Sequence, residues 1–438
     1  MLVFTCVLAV TASAAGDTSD STTAELTQVP PPPVVSTSVS LLEALALAKQ
    51  HASDVRIARD QTERADAAQR TALAALLPSF TGNLSLTRWD KEIARSGIVV
   101  RRLNTVGGSL NATENLSLRS WNAYRSAGVS ADAAELDLKN AHRLMLASVA
   151  SAYFAELASE RNATLARSQL TQADRQYRAV KARLDAGVAL AIDASRAELA
   201  VLDAARRVSD ADAALARNQD LLGQAIGLDE PVAATEAPAP EAGDTVESYV
   251  TRALTKRPDL RSAKLAKTIA DYAIDDAWFR FAPSLGITWQ LTWTPQTTTF
   301  QPNPTQWSAV ATLSVPIFDG GARYGALRDA RAAFHQSEER IRALTRSIRN
   351  DIRDAHRRVE TASRAFDIAQ RSVDVARLSA EQAEAAYNAG TLTGIELDDA
   401  RQALDEAEVT AVLRALEKQL AAVDLVTFVG DADPTRLK

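Results

Sequence analysis

A long internal repeat constrains this chain more than any other feature. Ala186-Gly187 and Ala389-Gly390 stand 203 residues apart, and so do Ile226-Gly227 and Val429-Gly430. Further upstream the offset is 205 residues: Asp54-Val55-Arg56 answers Asp259-Leu260-Arg261, and Pro78-Ser79 answers Pro283-Ser284. The chain therefore reads as two copies of one plan with a small insertion or deletion between them, and the fold is one unit used twice.

Within each copy the apolar period changes. Leu41 to Leu77 is predicted helical, with Leu41, Leu42, Leu45, Leu47, Ala48, Val55, Ile57 and Ala58 on one broad face and Pro78 as its stop. The period then drops to two. In Ser79–Thr87, Phe80, Leu84 and Leu86 oppose Thr81, Asn83, Ser85 and Thr87. In Val106–Leu118, Val106, Leu110, Ala112 and Leu116 oppose Ser109, Asn111, Thr113 and Asn115, with Glu114 on the apolar side. Between them Asp90–Thr105 reads as a charged loop. A proline-free helix is predicted from about Trp121 to Ala186, roughly 95 Å long at ~1.5 Å per residue, and a shorter one from Asp193 to Ala225. The second copy follows suit: a helix over Val246–Phe281 and strands over Ser284–Thr294 and Gln306–Val315 around a Pro/Thr loop. A long helix from about Tyr324 to Asn388 and a last one over Ile395–Phe428 complete it.

The two long helices end in tips. Gly187 and Gly390 suit the left-handed conformation that terminates a helix. Thr393 and Glu396 have the spacing of a capping box, and Asp193 is expected to cap the helix after the first tip. The division that results is a signal peptide (1–14), a Pro-rich segment (15–39), repeat 1 (40–227), a linker (228–245), repeat 2 (246–430) and a tail (431–438).

Composition narrows the function. Aromatics are 5% and the net charge is −6 with no basic block, which suits long helices and argues against nucleic acid. Leu2–Val10 followed by Ala12-Ser13-Ala14 reads as an export signal, and the single cysteine, Cys6, would leave with it. His51, His142, His335 and His356 lack metal-ligand spacing, and there is no phosphate-binding glycine loop or nucleophile elbow. No enzyme, cofactor or metal is expected.

The strands are the informative element. Two hairpins, apolar on one face and hydroxyl- or amide-rich on the other, fit either a small soluble sheet packed on helices or a piece of membrane barrel. Trp289, Trp293 and Trp307 on the apolar face suit a membrane-interface girdle. In lipid only a closed barrel survives, and four strands are too few to close one. Three copies would supply about twelve strands around a polar lumen. The competing class is a soluble periplasmic coiled-coil scaffold with short hairpins.

The chain resembles the TolC-like outer membrane efflux protein family. The resemblance rests on Leu41-Leu42-Glu43-Ala44, Leu76-Leu77-Pro78, Leu313-Ser314-Val315-Pro316-Ile317-Phe318-Asp319-Gly320-Gly321 and Tyr387-Asn388-Ala389-Gly390-Thr391, in that order and at the repeat spacing. It covers roughly Leu41 to Gly430. It implies a mainly helical fold with membrane β-structure: long antiparallel helical hairpins forming an α-barrel, plus two β-hairpins (four strands) from each chain in a trimeric transmembrane β-barrel. It implies a homotrimer in Gram-negative outer-membrane lipid with its helical part in the periplasm. Such a trimer would work with a periplasmic adaptor and an inner-membrane pump of the RND or ABC type, as a passive duct for drugs or other small molecules, or alternatively in type I protein secretion. It further implies that Glu396 and Asp399, six and nine residues after Gly390, belong to an acidic aperture together with Asp193. Gly187, Val188, Gly390 and Thr391 would form adaptor-contacting tips. Leu392 stands where some members of that family carry an arginine, and Arg119 stands where the second copy has Pro316.

Overall fold

The structure, a computed structural model, describes residues 37–95, 98–235, 245–296 and 302–430. The segment expected to be a signal peptide (1–14, with Cys6), the prolines at 30–33, the middle of the linker and the tail lie outside the described residues.

The elements in order are β1 (Ser38–Val39), α1 (Leu41–His51), α2 (Ser53–Ala74), β2 (Ser79–Arg88), β3 (Ile93–Arg95), β4 (Ile98–Arg101), β5 (Asn104–Leu116), α3 (Leu118–Asp185), α4 (Ala191–Ile226) and β6 (Ala233–Ala234). Then come α5 (Val246–Lys256), α6 (Pro258–Phe279), β7 (Ser284–Trp293), β8 (Thr305–Ser314), α7 (Ala322–Asn388) and α8 (Gly394–Val429). The two long helices have 68 and 67 residues, about 100 Å at ~1.5 Å per residue. Helix α3 packs against α2, α4, α6 and α8, and α7 packs against α6 and α8. Towards the tips the contacts are made by small residues such as Ala163, Ala166 and Ala211, or Ala369 and Ala411, which let the helices approach closely.

Several expectations need correction. Leu41–Leu77 is two helices, because Ala52 leaves helical geometry (φ −59°, ψ 126°), and Val246–Phe281 breaks likewise at Arg257 (φ −57°, ψ 121°). In the second copy Pro258 forces the break, since the residue before a proline is driven out of the α region. The charged loop holds a small hairpin, β3 with β4. The linker is partly ordered, with β6 pairing in parallel with β1. Asp193 is not the cap: Leu190 takes that position without a side-chain hydrogen bond, and Asp193 sits in the first turn.

Both helix breaks serve the core at mid-height. Leu45, Ala48, Tyr153, Phe154, Leu222 and Ala234 form one cluster, and Tyr249, Leu260, Ile348, Ile352 and Leu425 another. The β1–β6 pair is tied in by α3. Tyr153 Oη donates to Val39 O (3.3 Å) and to Thr235 O. Glu156, fully buried, accepts the Ala234 N–H at 3.0 Å and faces Gln219 Nε2 at 3.4 Å. Burial pushes its carboxyl up to about 7 against those hydrogen bonds, with nearby Glu160 adding to the rise. The end of α8 is held by two buried arginines: Arg143 donates to Thr427 O (2.5 Å) and Arg257 to Phe428 O (3.2 Å). Cations on the last carbonyls of a helix meet both the unpaired acceptors and the negative end of its dipole.

Strands β2, β5, β7 and β8 form one antiparallel sheet in the order β2-β5-β7-β8. Directly paired residues share a face, so the register decides what each face carries. Phe80, Ala112, Trp289 and Ala309 form one row, and Leu110, Leu291 and Trp307 the next. On the other face Thr81, Asn111, Gln290 and Ser308 line up, as do Asn83, Ser109, Thr292 and Gln306. Among the described residues the apolar face is uncovered: Phe80 is 70% exposed, Leu84 80% and Trp307 70%.

Candidate functional site: the helical tips and the two-faced sheet

Both tips close by the same backbone device. At the first, Gly187 N–H donates to Leu184 O (2.8 Å) and Val188 N–H to Arg183 O (2.9 Å). At the second, Gly390 N–H donates to Tyr387 O and Thr391 N–H to Ala386 O, each at 3.0 Å. These are Schellman closures, and they need the left-handed glycines Gly187 (φ 74°) and Gly390 (φ 76°). Val188, Leu190 and Ile192 are left exposed at the first tip.

The second tip starts α8 with a complete capping box. Thr393 Oγ1 accepts the Glu396 N–H (3.4 Å), while Glu396 Oε2 accepts the Thr393 N–H (2.9 Å). That backbone N–H first, and the Thr393 hydroxyl donating to Glu396 Oε2 (2.7 Å) second, hold the Glu396 carboxyl below its ordinary range. Glu396 and Asp399 are both exposed beside buried Leu397. Asp193 occupies the same first-turn position in α4 that Glu396 occupies in α8.

The fold joins the tips through contacts that sequence reasoning did not foresee. Arg183 Nη2 donates to Asn388 Oδ1 at 3.1 Å, and its guanidinium lies 4.9 Å from the centre of the Tyr387 ring. Asp193 and Arg196 of α4 come together with Tyr387, Gly394 and Asp398. The Asp398 carboxyl is raised, first by the helix atoms crowding it and then by Asp399 and Asp193, against Arg401 and Arg196. Above this junction a groove of about 340 Å³ separates α3 and α4 from α8, lined by Gln169, Gln176, Asp203, Arg207, Arg401 and Asp405. Arg207 meets Asp405 across it at 3.5 Å. The two hairpins thus face each other through charged and amide groups, a contact of little net strength in water. No sequence spacing marks these pairs, because their partners lie on helices about 200 residues apart in the chain.

The sheet brings the three tryptophans onto one face in successive rows: Trp289 opposite Ala112, Trp307 opposite Leu291, and Trp293 opposite Gly108. Trp293 and Trp307 lie towards the end remote from the helices. Trp289 is four residues below Trp293, about 13 Å at ~3.3 Å per residue, so it lies within the apolar face and not at its rim. Glu114 does fall on that face, with Oε2 buried and unpartnered among the described residues.

Helices about 100 Å long joined to an uncovered two-faced sheet define an outer-membrane channel protein, mainly helical, with its helical part in the periplasm. The chain belongs to the outer membrane efflux protein family, which matches residues 44–228 and 249–431. It is 25% identical over 413 residues to the pyoverdine export outer membrane protein OpmQ of Pseudomonas aeruginosa, covering 89% of this chain and 84% of OpmQ. It is 24% identical over 297 residues to the probable outer membrane lipoprotein SilC of Salmonella typhimurium, covering 66% of this chain and just 64% of SilC. Its fold is like that of the Campylobacter jejuni CmeC outer membrane channel, with a TM-score of 0.78 over 98% of this chain and 95% of that one at 19% identity.

Proposed function

We propose that three copies close their sheets into one barrel of about twelve strands and work as a passive export duct for drugs or other small molecules. The observation that carries this reading is the sheet itself. Its edges, β2 and β8, are unpaired among the described residues. Its apolar side chains fall in register on one uncovered face and its hydroxyls and amides on the other. Backbone edges cannot stay open in lipid, and joining the edges of sister copies satisfies them. The polar face then lines a water-filled lumen. A soluble scaffold would have to hide the apolar face, and none of the described residues covers it.

The helices continue the lumen as a tunnel, and the tips form its entrance. Glu396, Asp399 and Asp193 from three copies gather there as an acidic ring. The exposed tip residues at Gly187, Val188, Gly390 and Thr391 meet a periplasmic adaptor, which couples the duct to an inner-membrane pump. Opening separates the two hairpins of each copy along the polar groove and across the Arg183–Asn388 bond, where little apolar contact has to be lost.

The test is a purified protein reconstituted in planar bilayers. It should run as an SDS-resistant trimer, need detergent to stay in solution, and conduct. Glu396→Gln with Asp399→Asn should weaken divalent-cation block of the current. A monomer soluble without detergent would remove the reading, and unchanged block in the variant would remove the acidic aperture.

A further inference from the structure

We propose that the outer end of the sheet, with the β3–β4 hairpin, is a docking surface for the phosphate groups of the outer-leaflet glycolipid. The proposal rests on the barrel reading above and extends it to a partner. On the apolar face the rows run from Leu116–Leu285–Leu313 up to Leu86–Val106. Ten residue steps along β5 make about 33 Å of strand at ~3.3 Å per residue. A strand tilt of about 40° reduces that to about 25 Å, the height of a lipid-facing band. The next row on the same face is Arg88 opposite Asn104. The first side chain beyond the hydrocarbon band is therefore an exposed guanidinium at headgroup height.

The chain then adds further cations. Lys91 and Arg102 are exposed, and Arg101 stacks on the Trp89 ring at 4.4 Å. Trp89 is held in turn by its Nε1–H to Thr105 Oγ1 (3.3 Å). Asp90, 3.7 Å from Arg101, offsets part of this charge, and Glu92 lies nearby. Arg101 Nε is buried with no acceptor among the described residues. Between the cations Ile93, Val99 and Val100 are exposed at 45%, 36% and 59%. Cations gathered around a fixed tryptophan just beyond the apolar band match the phosphates of a lipid headgroup. The property is local. Residues 88–102 carry five basic and two acidic side chains in a chain of net charge −6, and the corresponding loop of the second copy, residues 294–304, carries no charge.

The experiment uses the full protein in a non-ionic detergent, with native mass spectrometry counting bound bisphosphorylated lipid A and its dephosphorylated form. Wild type should retain the phosphorylated form preferentially. Arg88→Gln with Arg102→Gln should weaken that retention by about 25-fold, about fivefold for each basic side chain beside an anionic lipid surface. Excess inorganic phosphate should fail to displace the lipid. Equal retention of the two forms, displacement by free phosphate, or undiminished binding by the variant would overturn the docking surface. Conductance and the SDS-resistant trimer are measured on the same samples. Their presence with no lipid preference defeats this proposal alone, and their absence in wild type defeats the barrel reading on which it rests.

Discussion

Replacing Glu156 by glutamine keeps the volume of the side chain and an acceptor for the Ala234 N–H, while Gln219 can turn its amide to meet the new NH2 group. Only the charge is removed. Burial raises the carboxyl from 4.5 to about 7, and at ~1.36 kcal/mol per pH unit this amounts to about 3 kcal/mol. The packed protein favours the protonated acid, so the contribution is fully present below about 4.5. Between about 4.5 and 7 an opened form releases a proton that the packed form retains, and stability falls as pH rises. Above 7 the deficit is constant. The assay is hydrogen exchange at the Ala234 and Thr235 amides of the detergent-solubilised protein, corrected for the intrinsic pH dependence. Protection at Ala234 should fall by up to roughly 300-fold across that window in wild type and stay level in Glu156→Gln, which becomes the better protected of the two above pH 7. Parallel slopes in the two proteins would refute the argument that a buried neutral acid clasps β6.

Three further outcomes are expected. A Cβ at Gly227 would come within 2.6 Å of the His51 carbonyl, whereas one at Gly187 meets open space, and both residues have positive φ. Gly187→Ala should therefore cost about 1 kcal/mol of backbone strain, and Gly227→Ala about 3 kcal/mol or more; equal thermal midpoints would contradict this. On the barrel reading, Phe80→Arg puts a charge in the middle of the apolar face and should cost about 2–4 kcal/mol of membrane stability, seen as lost heat-modifiable trimer in outer-membrane fractions. Asn83→Arg, on the opposite face, should assemble normally, and the reverse pattern would invert the sheet's assignment. Thr393→Ala breaks the capping box and should lose about 1 kcal/mol, read as faster exchange at the Glu396 amide. Glu396→Gln preserves the box and should leave that amide nearly as well protected.

The sequence by itself determined the order of the long helices and the four sheet strands, the places where helix gives way to strand, the glycine tips and the two-faced character of each sheet strand. All of these are local: they follow from apolar period, from the missing N–H of proline and from the freedom of glycine at positive φ. The 205-residue offset even held a signal left unused. It maps Pro258 onto Ser53, so the helix break that proline imposes in the second half marks the break at Ala52 in the first. The β3–β4 hairpin and the β1–β6 pair escaped because their segments are too short to display a period.

The tertiary structure alone decided which residues meet. Alternation gave each strand two faces, but only the register β2-β5-β7-β8 put all four apolar faces on one side, since a slip of one residue would turn a strand over. The same holds at the tips. Arg183 finds Asn388, Arg207 finds Asp405, and Asp398 comes into the field of Asp193, because packing brings together side chains of distant helices, where charge and burial act.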